Sequence, residues 1–543
     1  MRFLTAVFML ACAAGVCFRI VHVDWKIYGF DESVTSLRAA GHSIAEFEAF
    51  VGDGRLHDIR ELEVFQAPSR TMDERTVWRS LALEDPQHPP LYFWITSLFE
   101  RVSGDSLLFR RLPAVVFGLL LLPAMWWLAH ELFNDRLVAW CVAGLVALSP
   151  FQVAYAQDAR EYSLWAFACA LSSALLLRYL RSAGRWSWAG YAASVGLGLW
   201  SFSLFAQMVA AHALYLAAPW SGASRRLRMF AAAAMALGVT TFSPWITVMV
   251  AGTRRAVSDT SWSSARMALP LYAGKWVFNA GSVFFDLDYL SVAFVPVALA
   301  LLGLVVFCCV VLVRTTAPRV WGFVALQGGV AALSLLAPDL AFHESRAVEA
   351  RYLIPLWLSL ELATGYALAT GSIKSAAWRT ATAAVLLAGI ASCSVSAFAR
   401  TWWITSWQKT LPAIAAALER EPGATLVYWG DDYTLLGLLP ISRADLRFRC
   451  NEDLDPTALR SAPNPFVIAK PSDVQKLVSL DVRRVALPPS FPPAQDYFTA
   501  LLHRRAATER NLGPYQDDAL YVPSVRQTPM SGLLVRRCAG ALP

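Results

Sequence analysis

The feature that most constrains this chain is a succession of long apolar runs separated by short links rich in arginine. A helix needs about 20 apolar residues to cross a bilayer core. Backbone inside lipid must satisfy its own hydrogen bonds, so such runs fold as helices. By this criterion about eleven spans are expected, near 3–21, 112–133, 137–156, 162–180, 187–203, 205–220, 229–251, 289–313, 320–337, 352–371 and 380–398. The expected fold class is an all-α polytopic membrane domain. With 56% hydrophobic and only 16% charged residues, the chain does not read as a soluble enzyme.

The basic residues of the links orient these spans. Arg136, then Arg178, Arg181 and Arg185, then Arg225, Arg226 and Arg228, then Arg314 and Arg319, and finally Lys374 and Arg379 fall on one side. The positive-inside rule makes that side cytoplasmic. The N-terminus is then inside and the region beyond Arg400 outside. Much of the net charge of +7 sits in these links, and no basic run interleaved with exposed aromatics suggests a nucleic-acid partner. Residues 3–21 are read as a retained first span; the alternative is a cleaved signal segment.

The opposite face carries the loop His22 to Arg111, the turn Ser149 to Tyr162, the loop Thr253 to Asp288 and the link Pro338 to Arg351. Nearly all acidic residues and six of the eight histidines belong to it. A carrier would place ionisable groups within its spans and break helices near the midplane. Here the sequence gathers them at the outer ends, so chemistry is expected at the extracytoplasmic membrane surface.

In the first loop, Ser43-Ile44-Ala45-Glu46 has capping-box spacing ahead of Phe47, Phe50 and Val51, which predicts a short amphipathic helix lying on the bilayer. The stretch Glu84 to Trp94 is expected to be extended and then to turn into a second surface helix reaching Phe99. From about Thr401 the apolar runs shorten to strand length at Thr425–Trp429, Phe466–Ala469, Arg484–Leu487 and Gly532–Val535, with helix-like segments Leu411–Arg420, Ser472–Leu480 and Gln495–His503 between them. This predicts a small extracytoplasmic α/β domain over 399–543, after a membrane domain over 1–398 with its first outer loop at 22–111. Cys450 and Cys538 lie in that polar region and are candidates for a disulfide; the other seven cysteines lie in apolar runs.

Adjacent carboxylates, Asp31 and Glu32, lie a few residues beyond the expected membrane exit at Val21, among aromatic residues. Charges there are costly to desolvate, so they either cap a juxtamembrane helix or face water, or they have a task. Asp158 and Arg160 read either as a structural ion pair at a helix entrance or as site residues. Arg110 and Arg111 read as snorkelling interfacial arginines or anion ligands. His88, before two prolines, either ends a loop or faces a ligand. Glu84, Asp85 and His88 are ligand types compatible with a divalent metal, but the chemistry does not require one. No Gly-rich phosphate cradle or nucleotide fingerprint is present. Trp402, Trp403 and Trp407 read as an interfacial belt. Trp429 is a candidate sugar-stacking residue, and Asp431 and Asp432 are turn residues.

Four patterns, in this order, resemble those of the integral-membrane glycosyltransferases of the GT-C fold. They are Phe30-Asp31-Glu32, His88-Pro89-Pro90-Leu91-Tyr92-Phe93-Trp94, Phe109-Arg110-Arg111-Leu112-Pro113, and Ser149-Pro150 followed by Tyr155-Ala156-Gln157-Asp158-Ala159-Arg160-Glu161-Tyr162. The branch they resemble holds protein O-mannosyltransferases, aminoarabinose-transferases and rhizobial galacturonosyltransferases; Arg351-Tyr352-Leu353-Ile354-Pro355 is a weaker match.

The resemblance implies a bacterial inner-membrane enzyme that moves a sugar from a polyprenyl-phosphate donor to a hydroxyl of an envelope lipid, glycan or protein. It implies Asp31 as general base, Glu32 as its orienting or sugar-holding neighbour, and Asp158 as a second acidic position. His88, Arg160, Arg351, Arg346, Tyr92 and Tyr155 become donor-binding candidates, with Arg110, Arg111 and His343 also on that face. The readings from other classes are a flippase for lipid-linked sugars and a non-catalytic envelope-assembly subunit.

Overall fold

The computed structural model describes residues 1–67, 74–103, 106–259, 267–287, 295–399, 411–428, 433–442, 444–450, 462, 464–469, 482–484 and 519–523. The helices that matter below are α1 (Arg2–Ile20), α2 (Phe30–Ala39), α3 (Leu107–Phe133), α4 (Arg136–Leu148), α5 (Pro150–Gln157), α6 (Tyr162–Ser182), α7 (Pro318–Phe342), α8 (Ile354–Lys374) and α9 (Ala376–Phe398). Among the described residues, seven helices are long and apolar enough to cross a membrane, or up to nine spans if two bent pairs each count as one. The chain is a multi-pass membrane protein. Two of the expected spans, 187–203 and 205–220, are shorter helices, Arg185–Ser201 of 17 residues and Ala206–Ala217 of 12. The chain between them is pulled extended at Phe202 (φ −157°).

Both bent pairs break at a Ser-Pro step. α4 and α5 meet at 59° across Ser149-Pro150, and Arg225–Thr241 meets Ser243–Ala251 at 53° ahead of Pro244. Proline has no N–H to donate and its ring collides with the preceding turn, so the helix bends there.

The chain forms two compact units. The first contains Met1–Val23, Asp85–Tyr92 and Arg111–Phe398. In it α1 lies so close to α4 that a Cβ on Gly15 would sit 2.3 Å from the Ala147 carbonyl oxygen, and a Cβ on Gly365 of α8 would sit 2.5 Å from Val142 Cγ2. A backbone carbonyl cannot swing aside as a side chain can. Gly15→Ala is therefore expected to cost about 1–3 kcal/mol by forcing α1 off α4, read as a lower melting temperature of the purified protein in detergent.

Two charges in this unit depart from the expectation that ionisable groups keep to the outer ends of the spans. Arg19 in α1 and Glu361, two turns into α8, are both fully buried.

The second unit contains Asp24–Glu84, Phe93–Arg110 and the described residues from Ala399 on. It holds a mixed sheet of strands β1 (His57–Asp58), β2 (Thr425–Tyr428), β3 (Arg447–Cys450), β4 (Pro465–Ala469), β5 (Val482–Arg484) and β6 (Ala519–Pro523), in the order β1-β3-β2-β4-β6-β5. β2 runs parallel to β3 and β4; the pairs β1–β3, β4–β6 and β5–β6 are antiparallel. The first loop thus supplies an edge strand to a sheet made otherwise from the C-terminal region. Cys538, Trp402, Trp403, Trp407, Trp429, Asp431, Asp432, the Gly532–Val535 run and the helix-like segments 472–480 and 495–503 lie outside the described residues, as does any pairing of Cys450 with Cys538.

The helix Ile44–Val51 forms as its capping box requires. Ser43 Oγ accepts from the Glu46 N–H at 3.0 Å, and Glu46 Oε2 accepts from the Ser43 N–H at 3.0 Å. Its expected place on the bilayer is corrected. Phe47 and Val51 are fully buried in one core with Ile27, Leu37, Leu62, Phe65, Leu426 and Phe448, so the apolar face is spent on protein.

His57 sits at the seam of that core, its ring stacked 5.3 Å from Phe448. Its Nε2 lies 2.9 Å from Asp53 Oδ1 and its Nδ1 3.0 Å from Glu61 Oε2. Burial opposes the charge, but hydrogen bonds to Glu61 and Asp53 outweigh it and raise His57 above its ordinary 6.5. The same contacts hold Asp53 and Glu61 below 3.8 and 4.5. The imidazolium's contribution is complete below 6.5 and fades as pH rises through the raised value. The carboxylates' contributions are complete above 4.5 and fade as pH falls. The β1–β3 edge is therefore expected to be most protected between about pH 4.5 and 6.5, read by hydrogen exchange of that edge across pH; His57→Gln should flatten the alkaline limb.

Candidate active site

In the first unit, the bend at Ser149 aims α5 toward the turn 158–161, where the chain reverses into α6. Ser149 Oγ sits 3.4 Å from the Gln152 N–H and caps α5, while donating to the Val283 carbonyl at 2.6 Å. α5 ends at Asp158, which adopts extended backbone, and the Arg160 N–H closes the turn on the Asp158 carbonyl at 2.6 Å. Asp158, Arg160 and Glu161 are all buried.

Arg160 Nη2 donates to Glu161 Oε1 at 3.2 Å and lies 3.3 Å from His88 Nε2. His88 Nδ1 is 2.7 Å from Asp85 Oδ1. A guanidinium only donates, so these contacts fit an imidazole with its proton on Nδ1, given to Asp85, and its Nε2 accepting from Arg160. Glu161 Oε1, 3.6 Å from Nε2, is the partner in the protonated state. Burial opposes that second proton, but Asp85 and Glu161 outweigh burial and Arg160, and raise His88 above its ordinary 6.5. The loop bearing His88 is pinned by Trp245 Nε1, which donates to the Pro86 carbonyl at 3.1 Å.

Rings extend the cluster. His88 stacks on Phe202 at 6.1 Å, and Phe202 stacks on Tyr352 at 6.4 Å. The Arg351 guanidinium lies 5.4 Å from the Tyr352 ring centroid and 3.8 Å from Glu349 Oε2. Tyr155 packs edge-on to Tyr162 at 5.1 Å, and Arg351 and Asp158 are among the charges acting on its hydroxyl. Asp158, Arg160, His88, Arg351 and Tyr155 are thus brought into one cationic and aromatic cluster. Arg346 instead pairs with Glu344, Nε to Oε2 at 3.1 Å, while Asp339 accepts its backbone N–H at 3.0 Å. His343 is exposed beyond the end of α7, at φ 58°. Arg111 donates to the Val23 carbonyl at 2.7 Å, a structural tie, and Tyr92 is fully buried.

In the second unit, Asp31 and Glu32 occupy the first turn of α2, where carboxylates suit the positive end of the helix. Glu32 is buried and its Oε2 accepts the Gly29 N–H at 2.8 Å, so it serves as a helix cap. Asp31 is half-buried, and its carbonyl accepts from Thr35 Oγ1 at 2.9 Å. Arg110 is buried, donating to Gln66 Oε1 at 2.6 Å and lying 5.6 Å from the Tyr28 ring centroid, which makes it an internal strut. Tyr28 in turn hydrogen-bonds Ser36; burial raises its phenol well above the usual range. Glu84 is held by Arg38 at 2.5 Å and by the Ile44 N–H at 2.6 Å, so its carboxylate is committed to structure. Among the described residues no three side chains form a metal-holding group.

The crystal structure of apo ArnT from Cupriavidus metallidurans superposes with a TM-score of 0.52, at 14% identity, over 89% of this chain and 96% of that one. The fold is that of the GT-C glycosyltransferases. The undecaprenyl phosphate-bound ArnT of the same organism gives a TM-score of 0.49 at 16% identity, over 89% and 96% of the two chains. The oligosaccharyltransferase of Archaeoglobus fulgidus, tethered to an acceptor peptide, gives 0.49 at 12% identity, over 88% and 70%. A family model described as dolichyl-phosphate-mannose-protein mannosyltransferase matches residues 87–247. No curated protein matches the sequence.

The matched segment spans His88, Asp158 and Arg160. Two cluster members had no role in the sequence reading. Glu161 was legible, since it adjoins Arg160 in the same motif. Phe202 was not, because a single aromatic at a helix break carries no signal until the fold stacks it on His88.

Proposed function

We propose that this chain is a membrane glycosyltransferase that moves a sugar from a polyprenyl-phosphate carrier to a hydroxyl of an envelope lipid, glycan or protein. The observation that carries the reading is the pairing of buried Arg160 with half-buried His88 within the segment matched by the mannosyltransferase family model. A leaving lipid phosphate gains negative charge in the transition state, and a preorganised guanidinium and imidazole are suited to that charge. Arg351 and Tyr155 supply a further cation and a hydroxyl for the donor. Asp31 is assigned as the general base that takes the acceptor's proton, and a single displacement at the anomeric carbon inverts its configuration. Asp158 holds the turn and orients the donor. In this reading the link arginines face the cytoplasm of a bacterial inner membrane, and the loops bearing Asp31 and Arg160 face outward. No step calls for a metal.

The buried Arg19 and Glu361 favour a second reading, a carrier of lipid-linked sugars, which would place charges inside its spans. The two readings separate in membranes supplied with a labelled polyprenyl-phosphate sugar. A transferase moves label to an acceptor, and both Asp31→Asn and Asp158→Asn lose that transfer at unchanged protein level. Transfer untouched by both substitutions rejects the catalytic assignment.

A further inference from the structure

The bend between α4 and α5 leaves carbonyls without their helical donors inside a membrane-spanning segment. Val146 would normally bond to the N–H of residue 150, but that residue is Pro150. In lipid such an orphan costs several kcal/mol unless protein satisfies it. Arg19 supplies the missing donors: Nη2 reaches the Val146 carbonyl at 2.9 Å, and Nη1 the Ala147 carbonyl at 2.6 Å and the Gly15 carbonyl at 2.9 Å. The close approach of Gly15 to Ala147 brings the guanidinium within that reach. Cys393 Sγ covers the third carbonyl, Leu148, at 3.4 Å.

Across the bend, Glu361 of α8 accepts from Gln152 Nε2, in the first turn of α5, at 3.3 Å. Arg19 and Glu361 also interact electrostatically. A cation thus sits on the negative C-terminal end of α4 and a carboxylate by the positive N-terminal end of α5, the favourable placement at each terminus. The far end of α5 is tied to the same helix, since Gln157 Nε2 donates to the Phe18 and Val21 carbonyls at 2.9 Å each.

We propose that Arg19 and Glu361 form a charged clamp across the α4–α5 break and act as positioning residues for the turn that carries Asp158 and Arg160. Their effect on transfer rests on the glycosyltransferase reading above; their effect on α5 does not. The clamp makes α5 a rigid lever, its near end tied to α8 through Gln152 and its far end to α1 through Gln157, so the turn at its end is presented in one orientation. The pair needs no part in ion or proton passage, because the broken helix accounts for both charges.

The test uses the full-length protein in lipid nanodiscs. Amide exchange is followed by mass spectrometry, alongside kinetics with a labelled polyprenyl-phosphate sugar, for wild type, Glu361→Gln and Arg19→Lys. In Glu361→Gln, exchange across residues 151–160 is expected to quicken by about tenfold or more while residues 162–182 keep wild-type rates. In the same variant kcat per folded enzyme falls about tenfold or more, with donor KM within about twofold. Arg19→Lys, which keeps a cation and donors, shows a smaller change in both. If Glu361→Gln does not fold, Gln152→Leu, which removes only the contact across the bend, is expected to quicken the same exchange. Unchanged exchange over 151–160, or an equal rise throughout the bundle, overturns the clamp. Wild-type protein that transfers no sugar overturns the transferase reading instead, and the exchange pattern still decides the clamp.

Discussion

Asp31→Asn is expected to lower sugar transfer about 100- to 10,000-fold, the range a positioned general base contributes. The substitution keeps the size of the side chain and its place in the first turn of α2, and removes its negative charge and its capacity to take a proton. Asp31 is half-buried, and its backbone carbonyl accepts from Thr35 Oγ1. Glu32 is the internal control. Its carboxylate caps α2 through the Gly29 N–H, and Glu32→Gln keeps an acceptor oxygen there. A loss at Asp31 with a much smaller loss at Glu32, at equal melting temperature, is the expected pair of results. Equal losses at both positions would mean that the helix start, and not proton transfer, was disturbed. Initial rates with a labelled polyprenyl-phosphate sugar provide the measurement.

The second large effect is expected at Arg160. Removing a preorganised group that stabilises transition-state charge costs about 100- to 1,000-fold in kcat, and Arg160→Ala should fall in that range. Arg160→Lys should not recover it. The guanidinium is a planar fork that reaches both Glu161 and His88 from one nitrogen, whereas an ammonium is a single point charge. The loss should appear in kcat more than in donor KM, because phosphate charge grows toward the transition state. An Arg160→Ala enzyme with wild-type kcat would remove the cluster from the mechanism.

The parts of this architecture that follow from local rules were legible in the sequence. Apolar length marked the spanning helices, and Ser43 with Glu46 announced a helix start that forms as expected. The turn at 158–161 was visible because its charged residues interrupt an apolar run. What was not legible depends on long-range packing. The helix Ile44–Val51 has a face equally suited to lipid or protein, and only the sheet decided which. β1 is two residues long, too short for any periodicity. β3 alternates arginine with Phe448 and Cys450, so its charge content concealed a half-buried strand. Glu361 looked like an exception to the charge pattern until the missing donor at Pro150 gave it a reason. The site followed the same division: Arg160 and Asp158 stood out together, whereas the struts Arg110 and Arg111, of the same residue type, are separated from them only by their buried partners.

The pairing of β1 with β3 also bears on biogenesis. His57 meets Phe448, a residue synthesised 391 positions later. At about 5–20 residues per second, the segment bearing His57 waits about 20–80 s after its synthesis before its partner exists. Throughout that interval Phe47, Leu62 and Phe65 have no sheet to cover them, while every later span is being inserted. Maturation of the second unit is therefore one of the last events in the life of the nascent chain, and a truncated product would present these side chains to the cell's proteases and holdases.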